Sequence, residues 1–190
     1  MFSIEQIKNI KILSHPNGLT LFRIAASPII VILLLHPNKI TTFIAALFFT
    51  AAAITDFLDG FFARQKGLVS NFGKVMDPIA DKVLVSTSFI MLTSLDWIPA
   101  WMVCVIIGRE IAVTGLRNII AQRNKDLSAS TLGKYKTGFQ IAAIIPLMIP
   151  FPYLTIDFHA IGIIFLWIAL TLTVWSGLDY FIRFRSLLKE

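Results

Sequence analysis

The chain has 190 residues, of which 56% are hydrophobic and 15% charged; its formal net charge is +6 and its mean hydropathy +0.78. That is too apolar for an ordinary soluble domain, and several windows reach the ~20 apolar residues that cross a bilayer, so the chain reads as one polytopic membrane domain, residues 1–190. The one cysteine, Cys104, excludes a disulfide framework and a cysteine-based metal site, and its apolar surroundings predict a packing role.

Taken in order, residues 1–14 mix isoleucines with Glu5, Lys8 and Lys11 and suggest a short interfacial helix. They lack the apolar core and small-residue cleavage site of a signal peptide, so the N-terminus is expected to be retained. His15-Pro16-Asn17-Gly18 signals a turn, and a first span follows from about Leu19 to Leu35, interrupted by Arg23. After His36-Pro37-Asn38-Lys39 the second span covers residues 40–64. Ser70 or Asn71 caps the third, 72–94, in which Pro78 is expected in the tolerant first turn. Asp96-Trp97-Ile98-Pro99 is the next turn. The fourth span covers 99–121, a polar loop fills 122–133, the fifth span covers 134–150 and the sixth 159–181. The expected fold is an all-α integral membrane protein of six transmembrane helices.

Four carboxylates interrupt this pattern where charge is costly. Asp56 and Asp59 stand at i, i+3 near the end of the second span, and Asp77 and Asp81 at i, i+4 near the start of the third. Each pair shares a helical face, and the short polar connection between the spans brings both pairs together. A charge at the centre of a membrane helix costs roughly 2.5 to 3.5 kcal/mol, and neighbouring carboxylates also repel one another. Such a group needs cations. A pair of divalent metal ions suits an all-oxygen donor set and phosphate chemistry.

Arg109, Arg117, Lys134 and Lys136 form a second, cationic group on the fourth and fifth spans. Of the 17 Lys and Arg, Lys39 alone falls in a loop on the side away from the termini, which places both termini and the aspartates at the cytoplasmic face. The expectation is a cytoplasm-facing active-site cavity with one carboxylate–metal wall and one cationic wall, fitted to a substrate carrying two phosphate groups. No long basic stripe interleaved with aromatics stands outside the spans, which argues against nucleic-acid binding.

The pattern Asp56-x-x-Asp59-Gly60-x-x-Ala63-Arg64, eight residues, Gly73-x-x-x-Asp77-x-x-x-Asp81 resembles, without departure, the signature of the CDP-alcohol phosphatidyltransferases. Pro16-Asn17-Gly18-Leu19-Thr20-Leu21-Phe22-Arg23, Gly108-Arg109-Glu110-Ile111, Leu116-Arg117 and Gly133-Lys134-Tyr135-Lys136-Thr137 are similar to the bacterial branch that makes phosphatidylglycerophosphate. The resemblance implies transfer of a phosphatidyl group from CDP-diacylglycerol to an alcohol with release of CMP. It also implies a homodimer among the lipids of a bacterial inner membrane. Asp56, Asp59, Asp77 and Asp81 would hold two Mg2+ or Mn2+ ions, and Asp81 would serve as general base. Gly60, Ala63, Arg64 and Gly73, with Asn17 and Thr20, would seat the CDP-lipid. Arg109, Arg117, Lys134 and Lys136 would bind the phosphate of glycerol 3-phosphate.

Plainer readings stand beside these. Small-residue helix packing accounts for Gly60, Ala63 and Gly73, a turn and cap for Asn17, and positive-inside charge for Lys136. Glu110 either orients an arginine or neutralises it. His15, His36 and His159 sit at turns or span ends without metal-ligand spacing; Trp97, Trp101 and Tyr153 read as belt residues, and Asp179 as a helix-end ion-pair partner. The same chemistry on inositol phosphate or serine is the near alternative, serine being disfavoured by the cations. A cation-coupled transporter is the distant one, since no inverted repeat is visible.

Overall fold

Apolar stretches punctuated by Pro, Asn and Asp fold into helices. The computed structural model describes residues 15–66, 71–122, 131–151 and 156–188, and these are all-helical. Six helices succeed one another among them: α1 His15–Leu35, α2 Lys39–Lys66, α3 Asn71–Ser94, α4 Ala100–Gln122, α5 Thr131–Leu147 and α6 Phe158–Leu188. They follow the six expected segments in order. The interfacial segment 1–14 lies outside the described residues.

The helix ends show local chemistry at work. Asn38 caps α2, its Oδ1 accepting from the N–H groups of Ile40 at 2.9 Å and Thr41 at 3.0 Å, while its own N–H donates to Thr41 Oγ1 at 3.0 Å. Asp157 caps α6 by accepting from the Ala160 N–H at 3.0 Å. At the end of α3, Asp96 adopts φ 56°, the Trp97 N–H bonds the Leu92 carbonyl at 3.0 Å and the Asp96 N–H bonds that of Thr93 at 3.0 Å. This is a Schellman ending with aspartate where glycine is usual.

Three boundaries differ from expectation. Helix α1 starts at His15 and not Leu19, because Pro16 falls in the first turn, where its missing N–H is one the helix leaves unpaired anyway. Pro78 lies beyond the first turn of α3, so it removes a genuine i→i−4 donor between Asp77 and Asp81, a site for a bend. Helix α6 runs on to Leu188, carrying Arg183 and Arg185 on helical backbone.

The chain divides into two compact units, Met1–Ser88 and Phe89–Glu190. In the first, α1 packs on α2, and Ala26, Ile30, Leu34, Ala45, Phe49 and Ala52 are buried. In the second, α6 packs against both α4 and α5. Gly162 marks the tightest approach to α5: a Cβ there would stand 2.5 Å from Leu147 Cγ and 3.0 Å from the Leu147 backbone nitrogen. His159 at the start of α6 bonds the Trp97 carbonyl through Nε2 at 2.8 Å, an anchoring role that fits its place at a span end.

Among the described residues, Phe158–Arg183 is the stretch long and apolar enough to cross a membrane; Thr20–Leu35 and Lys39–Thr55 are shorter apolar helical stretches. Large apolar side chains such as Ile32, Ile40, Ile111, Ile164 and Ile182 are exposed, as a lipid-facing surface requires. Trp101 and Trp167 meet edge to face with centroids 5.7 Å apart. Cys104 is exposed on α4, correcting the expectation that it packs inside: an apolar setting in sequence does not decide which face of the helix is covered.

Candidate active site

The carboxylate positions fall on regular helix. Asp56 and Asp59 lie within the last three turns of α2, and Asp77 and Asp81 within the first three turns of α3, so each pair occupies one helical face as its spacing requires. From Lys66 to Asn71 the chain spans at most ~18 Å, which keeps the two helix ends in one neighbourhood. The side chains of Asp56, Asp59, Gly60, Ala63, Arg64, Gly73 and Asp77 lie outside the described residues. Asp81 is half-buried. On α1, Asn17 stands in the first turn with its side chain also outside the description, whereas Thr20 and Arg23 are each 1% exposed.

Within the second unit the cations come together around α6. Arg109, with its side chain 10% exposed, donates from Nη1 to Glu110 Oε1 at 3.2 Å and from Nη2 to Ser176 Oγ at 2.9 Å. Its buried Nε has no hydrogen-bond partner among the described residues. Lys136, on α5 and buried, pairs through Nζ with the same Glu110 Oε1. Arg117, two turns along α4 from Arg109, donates from Nη2 to the Tyr180 hydroxyl. Both guanidinium groups lie against the Tyr180 ring, their carbons 5.8 Å and 5.0 Å from its centroid for Arg109 and Arg117. Lys134 sits in the first turn of α5, with its side chain outside the described residues.

Three of the four expected acceptor-site cations are thus brought to one place, and Glu110 does both things foreseen for it, orienting Arg109 and offsetting part of the charge. Among the described residues of this cluster, Arg109, Arg117 and Lys136 set against Glu110 leave an excess of two positive charges, the complement of a phosphate dianion. Asp179 pairs with Arg183 Nε at 3.0 Å one turn on, an ion pair as expected, but it does so within the helix and not at its end, because α6 continues to Leu188. Reading the sequence missed Ser176, Gly177 and Tyr180 of α6. A serine, a glycine and a tyrosine in an apolar run point towards a buried polar contact only once α4 is known to pack there.

Residues 13–175 match the family model for CDP-alcohol phosphatidyltransferase. The chain belongs to that family. Three relatives, each named CDP-diacylglycerol–glycerol-3-phosphate 3-phosphatidyltransferase, are similar over nearly the whole length. The protein from Bacillus subtilis (strain 168) is 42% identical over 189 residues, covering 92% of this chain and 96% of its own. That from Rickettsia bellii (strain RML369-C) is 41% identical, covering 87% and 92%. The one from Escherichia coli (strain K12) is 35% identical, covering 90% and 94%.

Proposed function

We propose that this protein transfers the phosphatidyl group of CDP-diacylglycerol to glycerol 3-phosphate, giving phosphatidylglycerophosphate and CMP. The observation that carries the reading is the cluster of Arg109, Arg117 and Lys136 around α6, with more positive charge than Glu110 offsets, in a chain of this family. An acceptor bearing its own phosphate makes use of such a cluster; serine, which has none, does not. The names of the relatives point to the same acceptor.

In this reading the hydroxyl oxygen of the acceptor attacks the phosphorus next to the diacylglycerol, a new P–O bond forms, the P–O bond to CMP breaks, and the hydroxyl proton passes to the Asp81 carboxylate. Asp56, Asp59, Asp77 and Asp81 form an all-oxygen donor set, which fits Mg2+ or Mn2+. Two bound divalent ions would supply charge neutralisation of the diphosphate and of the departing CMP. Arg64, Gly60, Ala63, Gly73, Asn17 and Thr20 seat the CDP-lipid, and Lys134 joins Arg109, Arg117 and Lys136 on the acceptor phosphate. The protein works as a homodimer in the bacterial inner membrane. It crosses the membrane six times with its termini and active site at the cytoplasmic face, a reading that the distribution of Lys and Arg supports.

The test is CMP release by the purified protein with CDP-diacylglycerol and magnesium, comparing glycerol 3-phosphate, inositol phosphate, serine and no acceptor, each with and without a chelator. Release with glycerol 3-phosphate alone, abolished by chelation, is the expected result. Release with inositol phosphate alone keeps the aspartate chemistry and overturns the acceptor.

A further inference from the structure

The residues that bind a phosphate must themselves be held, because a guanidinium on a flexible stem loses much of its binding strength to disorder. Helix α6 carries the groups that do this. Ser176, fully buried, donates its own hydroxyl proton to the Leu172 carbonyl at 2.6 Å, which leaves its oxygen facing Arg109 as an acceptor. Gly177, the next residue, leaves the space through which the Arg109 stem passes: a Cβ there would stand 3.1 Å from Arg109 Cγ. Tyr180, 3% exposed, presents its ring to both guanidinium groups and its hydroxyl to Arg117. Stacked against one rigid ring, two like charges that would otherwise repel are kept in register.

We infer that Ser176, Gly177 and Tyr180 are positioning residues for the acceptor, a cradle on α6 that holds Arg109 and Arg117 in the geometry that receives the acceptor phosphate. The inference rests on the proposed glycerol 3-phosphate reaction and adds to it three residues of the last helix. The cradle acts on one substrate alone. Removing the Tyr180 hydroxyl, or crowding Arg109 with a methyl group at position 177, loosens the acceptor phosphate and leaves the CDP-lipid untouched.

Steady-state kinetics of CMP release by the full chain test this with Tyr180→Phe, Gly177→Ala and Ser176→Ala, varying each substrate in turn. Each variant is expected to raise KM for glycerol 3-phosphate by ~3- to 20-fold, with KM for CDP-diacylglycerol unchanged and kcat within ~2-fold of the parent. Coupling gives a sharper readout: in an Arg117→Lys background, where a compact ammonium replaces the stacked planar group, Tyr180→Phe should add little further change. Equal rises in KM for both substrates, or an unchanged KM for glycerol 3-phosphate in Tyr180→Phe and Gly177→Ala, overturn the cradle. A parent protein that turns over another acceptor and not glycerol 3-phosphate overturns the reaction on which it rests; a parent active with glycerol 3-phosphate whose variants show no shift overturns the cradle alone.

Discussion

With Asp81 as the proposed acceptor of the hydroxyl proton, exchanging its carboxylate for an amide is a way to separate proton removal from lipid binding. Asp81→Asn keeps the size and an oxygen donor but cannot accept the hydroxyl proton, so turnover should fall by at least ~100-fold while CDP-diacylglycerol still binds. Equilibrium binding beside CMP release measures both, and a parallel loss of the two would make Asp81 a ligand and nothing more. Asp96 offers a residue-scale test of stability, because it holds the left-handed φ of 56° with a side chain that glycine lacks. Asp96→Gly should raise stability by about 0.5 to 1 kcal/mol, read as a higher thermal midpoint in detergent with unchanged activity.

At the scale of elements, the close crossing of α5 and α6 decides how the second unit packs. A methyl group at position 162 collides with the Cγ of Leu147 and with backbone, so the helices must part. Gly162→Ala should cost about 1 to 3 kcal/mol, and combined with Leu147→Ala, which empties a fully buried position, it should cost less than the two single losses added together, because the truncation removes the clash. Unfolding in detergent of the single and double variants checks the pair; full additivity would mean that the helices do not meet there. Much of this layer was legible beforehand. The Asn38 and Asp96 turns follow from their residue types, and the six helices from hydropathy. Pro78 was placed wrongly because a proline shows where a donor is missing but not how many turns precede it. The cradle on α6 was not legible, since Ser176 meets Arg109 across 67 positions and no local periodicity encodes a partner on another helix.

For the whole molecule, the distribution of basic residues supports the proposed orientation with both termini at the cytoplasmic face. In a Cys104→Ser background, a thiol introduced by Lys39→Cys should react with a membrane-impermeant maleimide in spheroplasts. One introduced by Arg185→Cys should react only after the membrane is opened. Labelling of Arg185→Cys but not of Lys39→Cys in intact spheroplasts would reverse the orientation, and labelling of both would overturn the arrangement that puts them on opposite faces. Helix α6, with 31 residues, is ~46 Å long against ~30 Å of hydrocarbon. Its excess length carries Arg183 and Arg185, so the last helix serves as both span and basic tail. The placing of the carboxylate signature on the end of α2 and the start of α3 was legible at this scale, because its spacing fixes positions on two helices; the side chains of Asp56, Asp59 and Asp77 lie outside the described residues.

The hydroxyls of Thr42, Thr50, Thr55, Ser88 and Thr171 donate to carbonyls of the preceding turn at 2.7–2.9 Å, so each is satisfied within its own helix. Such hydroxyls need no hydrogen-bond partner on another helix, so these positions can drift among Thr, Ser, Val and Ala over evolutionary time. Ser176 makes the same self-contained bond, yet its oxygen also receives Arg109 from α4. In a saturation library scored for growth on phosphatidylglycerol synthesis, the threonines should read as silent sites and Ser176 as a fixed one, although by sequence all are small hydroxyl residues in an apolar run.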